Sequence, residues 1–308
     1  MEPTIWRNGA PRVDESRRKL ALIMNPAAAR GRALRLLPRV REQLDVLELP
    51  YRVIEARDIA HAMEAGSAAA AGGETVVAMG GDGMFGALAG AVRGEAPLGV
   101  IPAGRGNDFA RELTIPDDPA AACMVLADGV ERQLDLGEAN GRPFVCIAST
   151  GYDSDANRIA NEARLVRGNL VYLYAALRAL AAWRPARFRV RLDDREESFQ
   201  GYTVAAANCR FYGGGMRIAP NADPADGLLE VVLVEQSSKL RFLSNLPKVF
   251  SAKHVELEGV RTFRAREVEI SADRPFDVYA DGDRITELPA TVRVVPRALR
   301  VLAPRSKA

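Results

Sequence analysis

The sequence is poor in the residue types that build metal clusters and disulfide frameworks. Its 308 residues include only three cysteines, Cys123, Cys146 and Cys209, and two histidines, His61 and His254. The cysteines are odd in number and widely spaced, which argues against a disulfide framework or a zinc cluster and favours a reducing cytosol. Two histidines are too few for a multi-histidine metal site.

Neither sign of charge dominates, because 42 Lys and Arg residues oppose 40 Asp and Glu residues. This balance argues against a nucleic-acid-binding protein, which should carry a strong basic excess. The longest apolar stretch, residues 170–183, is interrupted by Arg178 and is too short for a bilayer, so we expect no transmembrane segment. Residues 1–19 lack the apolar run of a signal peptide, and we expect a cytoplasmic protein.

The first part of the chain alternates short apolar runs with helical patterns. The runs predict buried parallel strands, and turn residues follow them. This rhythm predicts a Rossmann-like parallel α/β domain over residues 18–135, which the C-terminal residues 297–308 could rejoin, with ligands at the carboxyl ends of its strands. The predicted strands are Leu20–Met24, Tyr51–Glu55, Thr75–Met79 and Leu98–Ile101.

From about Gln133 onwards, short β-like runs dominate and polar or Gly/Asp-rich turns separate many of them. Two helical segments, Ser154–Trp183 and Lys239–Phe250, interrupt this pattern. It predicts an antiparallel β-sandwich domain over residues 136–296. The predicted strands are Phe144–Ala148, Phe188–Leu192, Tyr202–Ala206, Leu229–Val234, Val268–Ile270, Phe276–Tyr279 and Val292–Val295.

Two glycine-rich loops carry the chemistry of the first domain. The third strand runs into Gly80-Gly81-Asp82-Gly83-Met84 and the fourth into Pro102-Ala103-Gly104-Arg105-Gly106-Asn107-Asp108. Glycines let the backbone approach a phosphate, a following helix N-terminus adds partial positive charge, and Asp82 can hold magnesium or its waters. Arg105 can pair with phosphate oxygens, and Asn107 and Asp108 suit a helix cap. A tight turn explains one such loop equally well, but two after successive strands favour a shared anion site.

At these loops the sequence resembles the diacylglycerol kinase family, which includes sphingosine and ceramide kinases, in its bacterial form. The resemblance runs from Lys19 to Pro304. Its further motifs are Asn25-Pro26, Ser149-Thr150-Gly151-Tyr152-Asp153, Tyr212-Gly213-Gly214-Gly215-Met216, Ala219-Pro220-Asn221-Ala222, Asp226-Gly227-Leu228-Leu229-Glu230-Val231, Lys253-His254 and Asp281-Gly282-Asp283.

The resemblance implies ATP-dependent phosphorylation of a lipid hydroxyl, with ATP and Mg2+ in the cleft between the two domains. It implies that Asp283 acts as general base and that Asp226 holds a structural magnesium with backbone oxygens of Asp223 and Leu228. The nucleotide-binding positions that it implies, together with the loops above, are Asn25, Pro26, Gly80, Gly81, Asp82, Gly83, Met84, Gly104, Arg105, Asn107 and Asp108.

The chain departs from the family's pattern at four places. The family commonly has Thr where this chain has Met84 and Arg105, and a third Thr aligns near Ala56. Its base is usually Glu, whereas Asp283 is one methylene shorter, and a displacement of about 1 Å can cost about 100-fold in rate. These departures leave two alternatives beside an active lipid kinase: a catalytically impaired nucleotide- or lipid-binding relative, and a soluble-substrate kinase resembling NAD kinase.

The expected substrate is a diacylglycerol-like or sphingoid-like lipid at the membrane surface, and a homodimer is a compatible assembly. A protein without a membrane span can still dock transiently on a bilayer through local basic or apolar surface. Arg105 and the Arg-rich first 41 residues are the expected place for such charge, although a solvated helix face explains the N-terminal excess better.

Overall fold

The computed structural model describes residues 18–27, 31–162 and 170–305. The Arg-rich stretch before residue 18, where part of the expected basic surface falls, lies outside these residues. The chain divides into two compact units, the first formed by residues up to Leu136 together with those from Arg297 onwards, and the second by Gly137–Pro296.

The first unit alternates strands and helices along the chain. Its elements are β1 (Leu20–Met24), α1 (Arg32–Val46), β2 (Tyr51–Glu55), α2 (Ile59–Ala71), β3 (Thr75–Gly80), α3 (Asp82–Val92), β4 (Leu98–Pro102), α4 (Asp108–Glu112), α5 (Pro119–Asp128) and the first residues of β5 (Val130–Ala139).

Strands β2, β1, β3 and β4 lie in that order and pair in parallel. Every residue of β1 is buried, as a continuous apolar run in a parallel strand requires. The carboxyl ends of β1, β3 and β4 therefore lie at one edge of the sheet, where Asn25, Gly81 and Ala103 follow them.

The helices of the first unit follow from apolar spacing and caps. α1 buries Leu37, Val40 and Leu44 at helical spacing, and Pro38 lies in its second turn. The carboxylate of Asp58 accepts the N–H of His61 at 2.8 Å and so caps α2. These helices pack on the sheet, and the loops lie at the carboxyl ends of its strands.

The second unit is mainly antiparallel. Its elements are β6 (Arg142–Phe144), β7 (Ile147–Gly151), α6 (Tyr152–Glu162), α7 (Leu170–Ala182), β8 (Ala186–Leu192), β9 (Arg195–Ala207), β10 (Leu229–Glu235), α8 (Lys239–Asn245), two 3₁₀ helices (Leu246–Val249 and Lys253–Glu256), β11 (Val260–Ala265), β12 (Glu267–Ala272), β13 (Asp277–Ala280), β14 (Asp283–Glu287) and most of β15 (Ala290–Ala303).

In the second unit β13, β7, β9, β8 and β12 lie side by side, with β14 beyond β13, and β10 also pairs with β9. The register sets Gly151 opposite Thr203 and Ser149 opposite Ala205. Val204 and Ala206 alternate with these residues and belong to the core. The predicted fold class, a parallel α/β domain followed by an antiparallel β-sandwich, is confirmed.

Two element predictions for the second unit are wrong in detail. The single strand predicted over Phe144–Ala148 is two strands, because Val145 and Cys146 donate their N–H groups to the Asp281 side chain instead of to a neighbouring strand. The helix predicted over Lys239–Phe250 ends at Asn245 and continues as a 3₁₀ turn that contains Pro247. No helix within the described part of the chain is long and apolar enough to span a bilayer.

Candidate active site

The two glycine loops of the first unit lie against each other at the carboxyl ends of β3 and β4. The carbonyl of Gly80 accepts the N–H groups of Ala103 at 2.8 Å and Gly104 at 3.1 Å. A Cβ atom on Gly104 would lie 2.4 Å from the Cα atom of Gly81. This approach between backbones leaves no room for a side chain on Gly104, so the sequence motif has a steric cause.

Asp82 joins the two loops from the first residue of α3. Its Oδ1 atom accepts the N–H of Phe109 at 2.9 Å, and the ring of Phe109 stacks on Phe85 with centroids 4.4 Å apart. Within the described residues the carboxylate has no second hydrogen-bond partner. One carboxylate oxygen therefore fixes the loops, and the other is available to a cation beside the small pocket that Gly81, Asp82 and Asn107 help to line.

Asn107 and Asp108 both act in the second loop, but the cap expected from Asn107 is wrong. Asn107 precedes α4 in the left-handed region with φ 52° and makes no side-chain cap to the helix. Its Oδ1 atom instead accepts the N–H of Gly104 at 2.9 Å and closes the loop. Asp108 is the first residue of α4, and its carboxylate pairs with Arg111 at 2.6 Å.

Two arginines stand at the second loop, one predicted and one missed. Arg105 is exposed and has no hydrogen-bond or ion-pair partner among the described residues. Arg32, the first residue of α1, donates from Nη1 to the carbonyl of Gly104 at 2.7 Å. Arg32 lies seven residues beyond Asn25, and only the parallel sheet brings it to this edge.

Three further positions of the first unit that the sequence singles out make structural contacts: Asn25, Met84 and Ala56. Oδ1 of Asn25 accepts the N–H of Ala27 at 2.9 Å and so turns the chain after β1. Met84 is buried, and a Cβ atom on Gly80 would lie 2.9 Å from its Cβ atom. The side chain of Met84 therefore packs behind the loop. Ala56, also buried, donates its N–H to the carbonyl of Met24 at 2.7 Å.

In the second unit, the predicted base Asp283 follows a tight hairpin turn. Asp281 and Gly282 have φ values of 51° and 94° and form the two-residue turn between β13 and β14. The Asp281 carboxylate accepts the N–H groups of Val145 at 2.7 Å and Cys146 at 2.9 Å. The side chain of Asp283 is open to solvent, yet crowding by protein on one side desolvates its carboxyl and raises its pKa.

The carboxyl group of Asp153, the second residue of α6, is shielded from water. The sequence motifs assign no role of its own to this residue. Burial raises the pKa of Asp153 to about 6, and the nearby hydroxyl of Thr203 opposes this shift. By strict geometry Oδ2 of Asp153 and the hydroxyls of Thr203 and Ser149 have no partner among the described residues. A motif of the sequence does include this residue, since Asp153 is the last residue of Gly151-Tyr152-Asp153. Its neighbour Thr203 is set opposite Gly151 by the pairing of β7 with β9, a contact between distant parts of the chain.

The predicted magnesium ligands form a compact turn. Oδ1 of Asp226 accepts the N–H of Leu228 at 2.9 Å, and the carbonyl of Asp223 accepts the N–H of Asp226 at 3.3 Å. Oδ2 of Asp226 pairs with the guanidinium of Arg264. No cluster of three or more Asp, Glu, His or Cys side chains within the described ranges could hold a metal. In this arrangement the residues do not fit a metal, because Arg264 already neutralises the single carboxylate among them. The assignment of magnesium to this turn came from the family resemblance and stays a prediction.

The last residues of this motif stabilise the neighbouring loop. Glu230 is only 2% exposed. Its carboxylate accepts the N–H of Asn221 at 2.7 Å and the side-chain amide of Asn221 at 3.2 Å. Burial raises the pKa of Glu230. The pattern Asp-Gly-Leu-Leu-Glu therefore fixes the shape of the loop that contains Ala219-Pro220-Asn221-Ala222.

Comparison with known proteins gives matches over almost the whole chain. Residues 19–139 match the family described as diacylglycerol kinase catalytic domain, and residues 146–303 match the family described as YegS C-terminal NAD kinase beta sandwich-like domain. A diacylglycerol kinase of Mycobacterium tuberculosis (strain CDC 1551 / Oshkosh) is 39% identical over 300 residues, which cover 93% of this chain and 96% of that protein.

Two further proteins support the same relationship. A protein of Pseudomonas aeruginosa (strain PAO1) named probable lipid kinase YegS-like is 36% identical over 242 residues, covering 77% of this chain and 79% of that protein. The crystal structure of a diacylglycerol kinase from Bacillus anthracis (strain Sterne) superposes with a TM-score of 0.75 at 18% identity, covering 96% of this chain and all of that one. At this identity the superposition supports the fold alone.

The paired loops and the two matched families define a kinase class with an α/β catalytic unit and a β-sandwich unit. The chain belongs to the diacylglycerol kinase family, together with the YegS-like lipid kinases. The resemblance found in the sequence motifs is thereby confirmed.

Proposed function

We propose that this protein transfers the γ-phosphate of ATP to a hydroxyl of a diacylglycerol-like or sphingoid-like lipid. The observation that carries the proposal is the backbone contact between Gly81 and Gly104. It brings two strand-to-helix turns to one sheet edge, where family membership leads us to expect a nucleotide.

The first unit supplies what phosphoryl transfer needs most, which is positioning and charge neutralisation. Backbone N–H groups at the start of α3, a helix of 11 residues, suit phosphate oxygens. The guanidinium of Arg105, which has no partner among the described residues, and the Arg32 side chain bonded to Gly104 add positive charge at the same loop. The family commonly has the neutral hydroxyl of Thr at this position. Arg105 thus supplies a charged hydrogen-bond donor in its place, which binds phosphate more strongly.

Magnesium, when bound with ATP, neutralises charge on the phosphates. Asp82 is the residue suited to hold it, since a hard cation prefers carboxylate oxygen and one oxygen of Asp82 has no protein partner within the described residues. The bond from Phe109 to the other oxygen at 2.9 Å fixes the orientation of the carboxylate. The predicted Asp226 set contributes no step to the transfer.

Asp283 takes the proton from the lipid hydroxyl. The turn before it is fixed, because Asp281 binds two successive N–H groups of the chain ahead of β7. Partial desolvation raises the pKa of Asp283, and a carboxylate with a higher pKa is a stronger general base as long as it remains ionised at the working pH. Asp is one methylene shorter than the Glu usual in the family. We expect the lipid hydroxyl to bind correspondingly closer to the backbone at Asp283.

The test incubates the protein with labelled ATP, magnesium and a total lipid extract, and separates the products by chromatography. We expect one labelled lipid class, and Asp283→Asn should lower the rate about 1,000-fold, as the loss of a general base does. The control is Asp194→Asn, an exposed residue of the β8–β9 turn, which should leave the rate unchanged.

Three results would contradict the proposal. ATP binding by calorimetry without any labelled lipid would identify a catalytically impaired relative. Phosphorylation of NAD in a coupled assay would identify a soluble-substrate kinase. Labelled lipid that persists in Asp283→Asn would show that another group is the base.

A further inference from the structure

The second unit has an exposed segment in which apolar and basic side chains alternate. It comprises α8 and the two 3₁₀ helices that follow, and none of the residues in α8 is buried. Leu240 is 81% exposed, Phe250 57% and Leu243 36%. Side chains of this size are costly to leave in water, so exposure of three of them within eleven residues requires an explanation.

The geometry of α8 separates a side packed against the unit from a free side. Phe242 packs on the core, and its ring stacks on Tyr202 at 4.1 Å and contacts Tyr152 at 4.9 Å. Leu240 and Leu243 are three residues apart and therefore share a face of the helix. Because Phe242 anchors the helix, the leucines are held in the exposed position.

The same segment is basic. Between residues 236 and 255 there are four Lys or Arg residues and no Asp or Glu. Arg241 pairs with Glu258 at 3.4 Å, and Lys239 donates to the carbonyl of Ala181 at 2.8 Å. Lys248 and Lys253 have no ion-pair partner among the described residues. Two lysines thus keep their charge available beside the exposed apolar side chains.

We propose that this segment binds the surface of an anionic lipid bilayer, with Leu240, Leu243 and Phe250 entering the interface and Lys248 and Lys253 contacting the headgroups. Exposed apolar side chains with basic residues in the same short segment are the chemistry of interfacial binding. A second copy of this chain is a poorer occupant, because a two-fold contact would set the same lysines against each other.

The proposed surface is bonded to a segment that carries a family motif. The carbonyl of Val249 accepts the N–H of Arg217 at 3.0 Å. Nε2 of the buried His254 lies 2.9 Å from the carbonyl of Ile218. Arg217 and Ile218 directly follow Gly213-Gly214-Gly215-Met216. This surface rests on the proposed function in so far as a lipid-phosphorylating enzyme needs access to a bilayer.

The experiment measures sedimentation of the full chain with vesicles, without ATP, so that binding is separated from catalysis. The vesicles contain either phosphatidylcholine alone or an equimolar mixture of phosphatidylcholine and phosphatidylglycerol. We expect binding to the anionic vesicles and weaker binding to the neutral ones. High salt should reduce the difference, because exposed charges are screened within about 10 Å at 0.1 M salt.

Two double variants test the two components. Lys248→Gln with Lys253→Gln should weaken binding to anionic vesicles about 25-fold, since each lysine near such a surface contributes about fivefold. Leu240→Ser with Phe250→Ser should weaken binding to both vesicle types about 100-fold, through lost apolar burial. The controls are Val46→Ser, also an exposed apolar residue at 71%, and Arg57→Gln, an exposed cation of the first unit.

The outcomes separate this surface from the proposed function. Phosphorylation of a short-chain, water-dispersed diacylglycerol should be unchanged in both double variants, while phosphorylation of vesicle lipid should fall. Vesicle binding that is lost only in the double variants supports the surface even if no lipid is phosphorylated. Unchanged vesicle binding in both double variants overturns it, as does light scattering that shows a dimer converted to monomer by the apolar pair with no loss of vesicle binding.

Discussion

The two units present their candidate site residues by different means. In the first unit the backbone predominates: Gly81 and Gly104 meet, and the carbonyl of Gly80 binds the loop that follows β4. In the second unit carboxyl side chains predominate, and apart from the exposed Asp283 they are held by burial, by N–H groups or by an arginine. The first kind of site depends on the absence of side chains, and the second on their surroundings.

This difference predicts different responses to mutation. A backbone site should fail when any atom is added, because the obstruction is main chain and cannot move aside. A carboxyl site should respond to the loss of charge in a direction that depends on what holds the carboxyl. Four measurements would break or sharpen this comparison, and they follow from the largest expected effect to the smallest.

Gly104→Ala should destabilise the first unit by about 3 kcal/mol and abolish ATP binding, because overpacking against main chain forces the loops apart. The added Cβ atom would lie 2.4 Å from the Cα atom of Gly81. Urea unfolding and calorimetry measure the two effects. The control is Gly72→Ala, whose Cβ atom would have its nearest neighbour at 3.4 Å. Normal ATP binding in Gly104→Ala would contradict the backbone site.

Asp281→Asn should lower the free energy of unfolding by about 2 kcal/mol, because hydrogen bonds to a charged acceptor are lost or weakened. Asn still tolerates the φ of 51° at this position. Asp193→Asn is the matched control, since Asp193 has φ 48° and its carboxylate accepts the N–H groups of Arg266 and Glu267 at 3.1 Å and 3.0 Å. Both variants should lose stability in urea, but only Asp281→Asn should lose lipid phosphorylation. Equal loss of activity in the two variants would show that Asp281→Asn acts through the stability of the fold and not through the position of Asp283.

Asp153→Asn should raise stability above pH 6. Burial keeps the folded carboxyl protonated up to a pH of about 6, whereas an unburied Asp carboxyl loses its proton at a pH of about 3.9. Between these values the folded state binds more protons, so this group's contribution to stability falls as pH rises. The variant escapes that loss, so its advantage in stability over the parent protein, measured by urea unfolding, should be about 2 kcal/mol larger near pH 7.5 than near pH 4. A variant less stable at both pH values would show that the Asp153 carboxylate has a partner in the fold.

Arg264→Gln should make the second unit sensitive to magnesium. In the parent protein Arg264 neutralises Asp226, so magnesium added without ATP should leave the unfolding temperature of the second unit unchanged. Release of the carboxylate should allow stabilisation of about 1 kcal/mol when magnesium exceeds its Kd severalfold. Arg191→Gln is the control, because it breaks the exposed pair with Glu269 on another strand. Magnesium stabilisation that the parent protein shows and that persists in Asp82→Asn would restore the predicted metal at Asp226.

Features that depend on residues close together in the chain were predictable. The buried run Leu20–Met24 is the strand β1 with unchanged bounds, because five consecutive apolar residues fit a strand covered on both faces. Strand β14 was missed, since four of its five residues are polar and all are exposed or partly exposed. The break between β6 and β7 was missed as well, since its N–H groups bind Asp281, 135 residues or more away in sequence.

The sequence by itself determined the order of strands and helices in the first unit and the positions where only glycine fits, because apolar spacing and small residues act locally. Tertiary structure decided which carboxyl groups are buried, bonded or paired. Oδ2 of Asp153 is buried near Thr203, which the pairing of β7 with β9 sets opposite Gly151, and Asp226 meets an arginine 38 residues away. The pKa and the charge of such a group depend on the atoms that surround it, and in this protein those atoms come from distant parts of the chain.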